Sequence, residues 1–340
     1  MNRAAELPIF TPKKWMQNAH IQTLGASLPF WAPPKRFTEH EERLRIPLGG
    51  DEDGALIARA WWQSRSGANS APKTAVLLVH GVGGDSSSQY VVRAAVAMHR
   101  AGYHAVRANL RGAGEGMCEA PLLYHAGLTD DLRALVNFLL DDPRVSDVAI
   151  VGFSLGGNAT LKLAGEWGSD HPKRIRAMCA VSPPLDLILT SRWLEKRRSF
   201  PYRRYVLQRL IEVGVDYAKL YPKRATYDLT RLKRSTLIRD YDDIVVAPMY
   251  GFADADDYYR QMSSGQFLPK IRMRTLLVHA EDDPMIPAAT MRPSLAGASA
   301  DLHVEWTKHG GHVGFFGGLT EDDFVQTYAM QRVLKFIAEG

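Results

Sequence analysis

The sequence predicts one α/β domain with a mostly parallel central sheet, helices on both faces and a single helical insertion. Apolar strand-like runs alternate with amphipathic helical patterns over most of the chain, which is typical of a parallel sheet covered on both faces. The alternation stops after residue 184 and resumes near residue 271. Because this interruption lies between two strands of one predicted sheet, we interpret it as a lid over a site at the carboxyl ends of the strands.

The predicted elements follow in chain order. Strands are expected at residues 55–62, 74–80, 104–110, 147–153, 175–182, 274–280 and 302–308. Helices are expected near residues 89–101, 128–140, 156–167 and 322–338, and an exposed loop at 65–73. We therefore expect the 340 residues to form a single domain whose parts are a core at about 40–184 and 271–340, a helical lid at about 185–270, and an N-terminal extension at 1–39.

Composition favours a globular cytoplasmic protein. Hydrophobic residues make up 46% of the chain and charged residues 23%, which are ordinary values for a chain with a sizeable core. Two cysteines, Cys118 and Cys179, cannot form a disulfide framework, and no C-x-x-C pair indicates zinc. The N-terminus lacks the apolar region of a signal peptide, and no apolar run approaches the roughly 18 residues of a membrane span.

The positive charge of the chain is concentrated in the predicted insertion. The net charge is +5, yet the stretch from Asp186 to Arg234 contains thirteen Lys or Arg residues and five acids. The favoured interpretation is a solvated helical surface, and the alternative is peripheral contact with an anionic membrane surface. We expect no nucleic-acid partner, and the sequence carries no signal for an oligomeric state.

A G-x-S-x-G motif places Ser154 between a predicted strand and a predicted helix. Gly152 and Gly156 stand two residues to either side of the serine. A nucleophilic serine in a strained strand-to-helix turn needs small residues at these positions, because side chains there would crowd the neighbouring strand and helix. The alternative is a serine in an ordinary turn. The strand before the motif and the helix after it favour a nucleophile.

A serine nucleophile needs a base and an acid that orients the base, and both follow the insertion. Asp282 and Asp283 come directly after a predicted strand, and we favour Asp283 as the acid. His309 and His312 follow the next strand, and we favour His312 as the base because its glycine-flanked loop allows the ring to reach Ser154. Asp282 and His309 stay open as the competing choices.

Acyl transfer also needs hydrogen-bond donors for the developing oxyanion. A glycine-rich loop follows the strand at 74–80, and the expected donors are the backbone N–H groups of Val82 and Leu155. Such a loop could instead bind phosphate. The sequence contains neither G-x-x-x-x-G-K-[ST] nor G-x-G-x-x-G, which argues against nucleotide binding.

His125 and Asp130 match an H-x-x-x-x-D pattern that is associated with acyltransferases. Two residues at one spacing are a weak signal. Thr129, Asp130 and Asp131 precede an apolar periodic run, and the simpler interpretation is a helix N-terminus with a capping residue and favourable acids.

With these elements in place, the chain resembles the α/β-hydrolase superfamily and, within it, the YheT-like branch of esterases. The resemblance runs from about residue 10 to the end of the chain. The stretches that carry it are AHIQTLGASLPF (19–30), HGVGG with QYV shortly after, NLRGAGEG (109–116), YHAGLTDDL (124–132), GFSLGGN (152–158), DDYYRQMSS (256–264), LLVHAEDDP (276–284) and HGGHVGF (309–315). The resemblance implies Ser154, Asp283 and His312 as a catalytic triad, with hydrolysis of carboxylic esters and some lipid-acting relatives.

The expected function is therefore that of a serine carboxylesterase. The expected substrate is a small-molecule or lipid-like ester, and the chemistry requires neither a metal nor an organic cofactor. An acyltransferase or thioesterase would use the same residues, since the acyl-enzyme is common to all three reactions. A non-catalytic binding protein with the same fold is disfavoured because such proteins usually lose a member of the triad.

Overall fold

The structure is a computed structural model. It describes residues 9–27, 39–49, 54–64, 71–318, 320 and 325–340. The predicted loop at 65–73 lies largely outside the described residues. Residues 1–8 and 28–38 of the predicted N-terminal extension and residues 322–324 at the start of the last predicted helix also lie outside them.

An eight-stranded sheet forms the centre of the described chain. Its spatial order is β1-β2-β4-β3-β5-β6-β7-β8. The strands are β1 (Glu42–Leu48), β2 (Gly54–Trp61), β3 (Lys73–Val79), β4 (His104–Asn109), β5 (Val145–Phe153), β6 (Ile175–Val181), β7 (Thr275–Ala280) and β8 (Leu302–Thr307). The pairings from β4 to β8 are parallel, whereas β2 runs antiparallel to both β1 and β4. The predicted mostly parallel sheet is confirmed.

Twelve α-helices occur in the described residues. They are α1 (Ala19–Ser27), α2 (Gln89–Arg100), α3 (Asp130–Asp141), α4 (Leu155–Trp167), α5 (Leu187–Leu194), α6 (Phe200–Leu220), α7 (Leu229–Lys233), α8 (Ile238–Tyr241), α9 (Ala247–Tyr250), α10 (Ala255–Met262), α11 (Ala288–Leu295) and α12 (Tyr328–Ala338). A π-helical turn, Asp242–Val246, joins α8 to α9. Short 3-10 helices occupy Lys14–Gln17, Gly114–Cys118, Gly168–Asp170, Arg197–Ser199 and Ser264–Lys270.

Alternate residues of each parallel strand enter two separate cores. On β5, Ile150 packs in the core with Leu135 of α3. Its neighbour Val151 packs in the other core with Val96 of α2 and Val333 of α12. Because successive side chains of a strand point to opposite faces, strands covered on both sides are apolar at nearly every position. This burial explains why the strands appear in the sequence as continuous apolar runs.

The helices α5–α10 lie between β6 and β7 and have a buried cluster of their own. Its centre includes Leu232, Tyr217 and Val245, all almost fully buried. Val206 and Leu210 of α6 also line a cavity shared with residues that follow β3, β5 and β7. The insertion therefore packs on the carboxyl ends of the parallel strands.

Candidate active site

Ser154 occupies a sharp turn between β5 and α4. Its backbone has φ +50° and ψ −120°, which is unusual for a residue with a side chain. A Cβ on Gly152 would lie 2.3 Å from the Gly156 carbonyl oxygen, and a Cβ on Gly156 would lie 2.4 Å from the His80 carbonyl oxygen. The Ser154 N–H donates to the Val181 carbonyl at 2.9 Å. The two glycines thus allow the close packing that holds the serine at this turn.

The structure brings Ser154, His312 and Asp283 together in one hydrogen-bonded row. Ser154 Oγ lies 2.9 Å from His312 Nε2. His312 Nδ1 lies 2.8 Å from Asp283 Oδ2. His312 is 158 positions from Ser154 and 29 positions from Asp283 in the sequence. With Nδ1–H donating to the carboxylate, Nε2 is the acceptor for the serine hydroxyl. This tautomer is the one that a general base requires.

Asp283 is held as a buried carboxylate. It is only 3% exposed, and its Oδ1 accepts hydrogen bonds from the N–H groups of Met285 and Ile286 at 2.8 and 2.9 Å. Burial acts to raise its pKa, but the charge and hydrogen bond of His312 together with the Ile286 N–H outweigh burial, and the net pKa is lowered. The side chain is therefore an ionised acceptor that orients the His312 ring.

The competing residues, Asp282 and His309, pair with each other instead. His309 Nδ1 lies 3.3 Å from Asp282 Oδ2, and the Gly311 N–H donates to Asp282 Oδ1 at 2.9 Å. Both side chains are about one-fifth exposed. Burial raises the pKa of Asp282. This second pair braces the loop that carries His312.

The His312 loop has a strained backbone. Val313 and Phe315 both have φ +54°, and Gly311 has φ +56°. Val313 is β-branched, for which a positive φ is a true outlier. Its N–H donates to Ser182 Oγ at 3.2 Å, and Ser182 follows β6 with φ +51°. A conformation of this kind persists only where surrounding contacts impose it.

Those contacts come from α1, a segment that carries part of the family resemblance but was assigned no part in the site from the sequence. The His312 N–H donates to Thr23 Oγ1 at 2.9 Å. Gln22 is fully buried, and its amide accepts from the Phe316 N–H at 2.8 Å and donates to the Phe316 carbonyl at 2.9 Å. A Cβ on Gly314 would lie 2.5 Å from the Gln22 carbonyl oxygen. The stretch AHIQTLGAS was the available signal, because a polar pair inside a short helix suggests buried hydrogen bonds.

The loop after β3 lies beside Ser154. A Cβ on Gly81 would be 3.0 Å from the Ser154 Cβ. The Gly81 N–H donates to the Tyr90 hydroxyl at 2.8 Å, and the Gly83 N–H donates to the Tyr124 hydroxyl at 2.7 Å. These tyrosines fix the loop on both sides of Val82.

Val82 and Leu155, the expected oxyanion donors, both line the cavity that contains Ser154. Leu155 is the first residue of α4, so its N–H has no partner within the helix. Among the described residues, we find no acceptor for the Val82 N–H. The two residues that the sequence analysis selected therefore border the cavity next to the serine.

His80 supports this loop as a neutral ring. Its side chain is fully buried, and Nδ1 donates to the Gly81 carbonyl at 2.8 Å. Its Nε2 accepts from the Leu110 N–H at 3.2 Å. Burial lowers the pKa of His80. The ring thus connects the chain segments that follow β3 and β4.

A narrow, largely apolar cavity of about 100 Å³ opens at Ser154. Its apolar walls combine residues of the sheet loops with residues of the insertion, namely Val82, Leu155, Leu187, Leu194, Val206, Leu210, Ile238, Val246, Met285 and Ile286. Polar side chains occur at Thr190, Ser191 and Asp242, together with the tyrosines Tyr124, Tyr241, Tyr258 and Tyr259. Such walls suit an apolar substrate arm with a small number of oriented polar contacts.

His125 lines the same cavity, but it does not act with Asp130. Its ring packs edge-on against Tyr250 and Tyr258, with centroids 4.4 and 5.7 Å away. Burial lowers the pKa of His125 to about 3. Asp130 is the first residue of α3, and its side chain is 80% exposed. The helix-start interpretation of this motif is confirmed.

The predicted capping role of Thr129 is wrong. The Thr129 hydroxyl makes no capping hydrogen bond and donates to Glu166 Oε2 at 2.6 Å. Asp131 is completely buried, where it accepts from the Arg111 N–H at 3.0 Å and from Arg111 Nε at 2.7 Å. The acidic motif therefore supplies a buried partner for the loop after β4.

In the part of the chain that the structure describes, no three His, Cys, Asp or Glu side chains are placed to hold a metal ion. No helix in that part combines the length and the hydropathy that crossing a bilayer requires.

Comparison with known proteins identifies the fold family. Residues 74–319 match a family model whose description is the α/β-hydrolase fold. The chain belongs to the α/β-hydrolase family. Its membership agrees with the sheet order and with the turn at Ser154.

Curated relatives place the chain among YheT-like members of this family. It is 33% identical to YheT of Escherichia coli (strain K12), whose name describes it provisionally as an esterase, over 91% of this chain and 87% of that protein. It is 30% identical to a monoacylglycerol lipase of Saccharomyces cerevisiae, over 72% of this chain and 55% of that protein. It is 25% identical to phospholipase ABHD3 of Mus musculus, over 91% of this chain and 74% of that protein.

Solved structures share the fold at lower identity. Est1E from Butyrivibrio proteoclasticus is 15% identical, with a TM-score of 0.54 over 87% of this chain and 99% of that chain. The Pyrococcus furiosus esterase Pf2001 is 14% identical, with a TM-score of 0.55 over 92% of this chain and 97% of that chain. These two likenesses concern the fold alone.

Proposed function

We propose that this α/β-hydrolase is a serine carboxylesterase with Ser154 as nucleophile, His312 as base and Asp283 as the orienting acid. The names of the curated relatives are those of ester hydrolases, which supports ester hydrolysis in general. The observation that carries the assignment of residues is the row of two hydrogen bonds, 2.9 and 2.8 Å long, that ends at a serine in a strained turn.

In the proposed reaction, Ser154 Oγ attacks the ester carbonyl while its proton passes to His312 Nε2. The buried Asp283 carboxylate stabilises the imidazolium that forms. The N–H groups of Val82 and Leu155 stabilise the tetrahedral oxyanion. The imidazolium then protonates the departing alcohol, which leaves an acyl-enzyme. Water, deprotonated by His312, hydrolyses the acyl-enzyme, releases the acid and restores the serine. This chemistry calls for no metal or organic cofactor.

We propose that the helical insertion, residues 185–270, is a lid over this site within a single domain. The core comprises about 40–184 and 271–340, and residues 1–39 form the N-terminal extension. Leu194, Val206 and Leu210 of the insertion line the same cavity as Ser154, which supports this role. The apolar walls favour a small-molecule or lipid-like ester as substrate. From the composition of the chain we propose a cytoplasmic enzyme without a nucleic-acid partner.

A basic, partly apolar surface on the insertion supports peripheral contact with an anionic membrane. Phe200 and Tyr205 of α6 are 48% and 56% exposed. Arg197 and Arg204 stand beside them with exposed side chains. Exposed aromatic rings among basic residues are the features of proteins that lie on anionic lipid surfaces.

The test is a series of p-nitrophenyl esters from acetyl to palmitoyl, assayed with the wild type and Ser154→Ala. We expect the variant to lose at least about 10³-fold in kcat for every ester that the wild type cleaves. Ser169→Ala, which alters an exposed serine beyond the far end of α4, is the matched control and should keep full activity. Equal activity of Ser154→Ala and the wild type would refute the assignment. Adding an alcohol as competing acceptor separates hydrolysis from acyl transfer.

A further inference from the structure

The cavity at Ser154 has a polar part that the proposed reaction does not use. Asp242 and Thr190 both line the cavity and are 7% exposed. The Tyr259 hydroxyl donates to Asp242 Oδ2. The buried hydroxyl of Thr190 has no hydrogen-bond partner among the described residues. A buried polar atom without a partner, on a residue that lines a substrate cavity, calls for an explanation, and a group of the substrate supplies one.

Asp242 sits in the π-helical turn between α8 and α9. Turns of this kind are often found at functional sites. Arg239, one helical turn earlier, pairs with Asp243 and Asp256. Among the described residues, no Lys or Arg forms an ion pair with Asp242. The Asp242 carboxyl is therefore buried in the cavity without a cationic partner.

Most of the groups around this carboxyl are neutral hydrogen-bonding groups, and the opposite charges of Asp243 and Arg239 act on it as well. Four buried tyrosines interact with it electrostatically, namely Tyr124, Tyr241, Tyr258 and Tyr259. Burial raises the pKa of Asp242 to about 7, so its protonated form is well populated near neutral pH. A protonated carboxyl both donates and accepts, as an alcohol does. The surroundings therefore suit an uncharged hydroxyl better than a cation or an anion.

We propose that the substrate arm in this cavity carries a hydroxyl group that hydrogen-bonds to Thr190 and Asp242. The two residues then determine specificity without touching the reacting atoms. A hydroxyl pairs with the unpartnered Thr190 hydroxyl and with the Asp242 carboxyl, whereas a purely alkyl arm leaves the Thr190 hydroxyl unpaired and Asp242 with its bond from Tyr259 alone. A site built to bind a hydroxyl discriminates strongly against the analogue that lacks it. The inference rests on the proposed ester hydrolysis at Ser154.

The experiment compares matched esters that differ by one hydroxyl. On the acyl side, the p-nitrophenyl esters of butanoate, hexanoate and octanoate are paired with those of 3-hydroxybutanoate, 6-hydroxyhexanoate and 8-hydroxyoctanoate. On the alcohol side, butyl and hexyl acetates are paired with 4-hydroxybutyl and 6-hydroxyhexyl acetates, with acid release followed by titration. The measured quantity is the ratio of kcat/KM for the hydroxylated ester to that for its alkyl partner.

We expect the wild type to give a ratio of about tenfold or more for at least one pair, and the arm of that pair identifies the side that enters the cavity. Thr190→Val and Asp242→Leu should each lower that ratio at least about fivefold. Thr226→Val, which changes an exposed threonine of the insertion, should leave the ratio unchanged. Calorimetric binding of the preferred ester to Ser154→Ala gives the same comparison without turnover.

Three results would overturn the proposal. They are a wild-type preference for the alkyl ester in every pair, a ratio that neither variant changes, and a preference for an amine-bearing ester over the hydroxylated one. If alkyl esters are cleaved through Ser154 but neither Thr190→Val nor Asp242→Leu changes the ratio, the specificity proposal fails and the proposed function stands. If no ester is cleaved, the proposed function fails and the specificity proposal falls with it.

Discussion

The backbone N–H of His312 donates a hydrogen bond to the side-chain hydroxyl of Thr23, across 2.9 Å and 289 positions of sequence. The adjacent Gln22 fixes Phe316 through both atoms of its amide. The first helix thus holds the strained loop that carries the proposed base. Because the φ of +54° at Val313 is unfavourable, we infer that these contacts supply part of the constraint that keeps His312 directed at Ser154.

Removing the Thr23 hydroxyl is therefore expected to impair turnover. Thr23→Val keeps the volume of the side chain but leaves the buried His312 N–H without an acceptor. We expect kcat to fall about tenfold with little change in KM, since a displaced base affects the chemical step more than binding. Steady-state kinetics on one p-nitrophenyl ester measures both constants.

Thr23→Ser is the control for this change, because it restores the acceptor and should restore most of the activity. A purely structural role for Thr23 would lower the thermal midpoint equally in both variants and leave kcat per folded molecule unchanged. That pattern would contradict the positioning role.

Asp283 and Asp282 are adjacent in sequence but are expected to differ sharply in their effect on activity. Asp283→Asn removes the charge beside His312 and favours the wrong tautomer, so kcat should fall by about 10³- to 10⁴-fold. Asp282→Asn retains an acceptor for the Gly311 N–H, and its partner His309 is partly exposed, so we expect a loss of tenfold or less. Parallel assays of the two variants measure the difference. A larger loss in Asp282→Asn would reassign the acid.

Asp242 is expected to lower stability at high pH. Its pKa of about 7 in the folded protein exceeds the ordinary value of 3.8. Between these values the folded state holds a proton that the unfolded state has released, so the contribution to stability falls as pH rises from about 4 to about 7. At pH 8 the difference corresponds to on the order of 4 kcal/mol. The groups that act on this carboxyl are Tyr124, Tyr241, Tyr258, Tyr259, Asp243 and Arg239.

Asp242→Asn removes the ionisable group and keeps an acceptor for Tyr259. We expect its thermal midpoint to exceed that of the wild type, with a clearly larger gain at pH 8 than at pH 5. Differential scanning calorimetry at the two pH values measures this difference. Asp170→Asn, which changes an exposed aspartate, is the control and should leave the thermal midpoint unchanged at both pH values. A gain that is equal at both pH values would contradict the buried, raised-pKa description of Asp242.

Much of the fold could be predicted because its strands are buried on both faces. The predicted strand at 147–153 became β5, Val145–Phe153, and the predicted helix at 89–101 became α2, Gln89–Arg100. The strand β1 was missed because it lies at the sheet edge, where only Leu44 and Ile46 are buried between exposed charged residues. A short alternation of this kind is a weak signal.

In the site as well, some residues could be predicted from the sequence and others could not. Ser154, Asp283 and His312 each follow a strand that was recognisable in the sequence, so the carboxyl ends of the parallel strands could be expected to bring them together. Thr23 acts on a loop nearly 300 positions away, and the polar pair in α1 indicates buried hydrogen bonds without indicating their partner. Asp242 lies in an insertion whose helices pack on one another as well as on the sheet, so its position in the cavity could not be read from periodicity.

The basic surface of the insertion yields the last prediction. Arg197→Gln combined with Arg204→Gln removes two exposed charges near Phe200 and Tyr205. Each basic residue close to an anionic bilayer contributes about 1 kcal/mol, so binding to vesicles with anionic lipid should weaken about tenfold or more, as measured by co-sedimentation. Lys173→Gln combined with Lys308→Gln removes the same charge outside the insertion and should bind as the wild type does. If both double variants bind equally, the surface at Phe200 and Tyr205 is a solvated face of α6, and membrane contact by the lid is refuted.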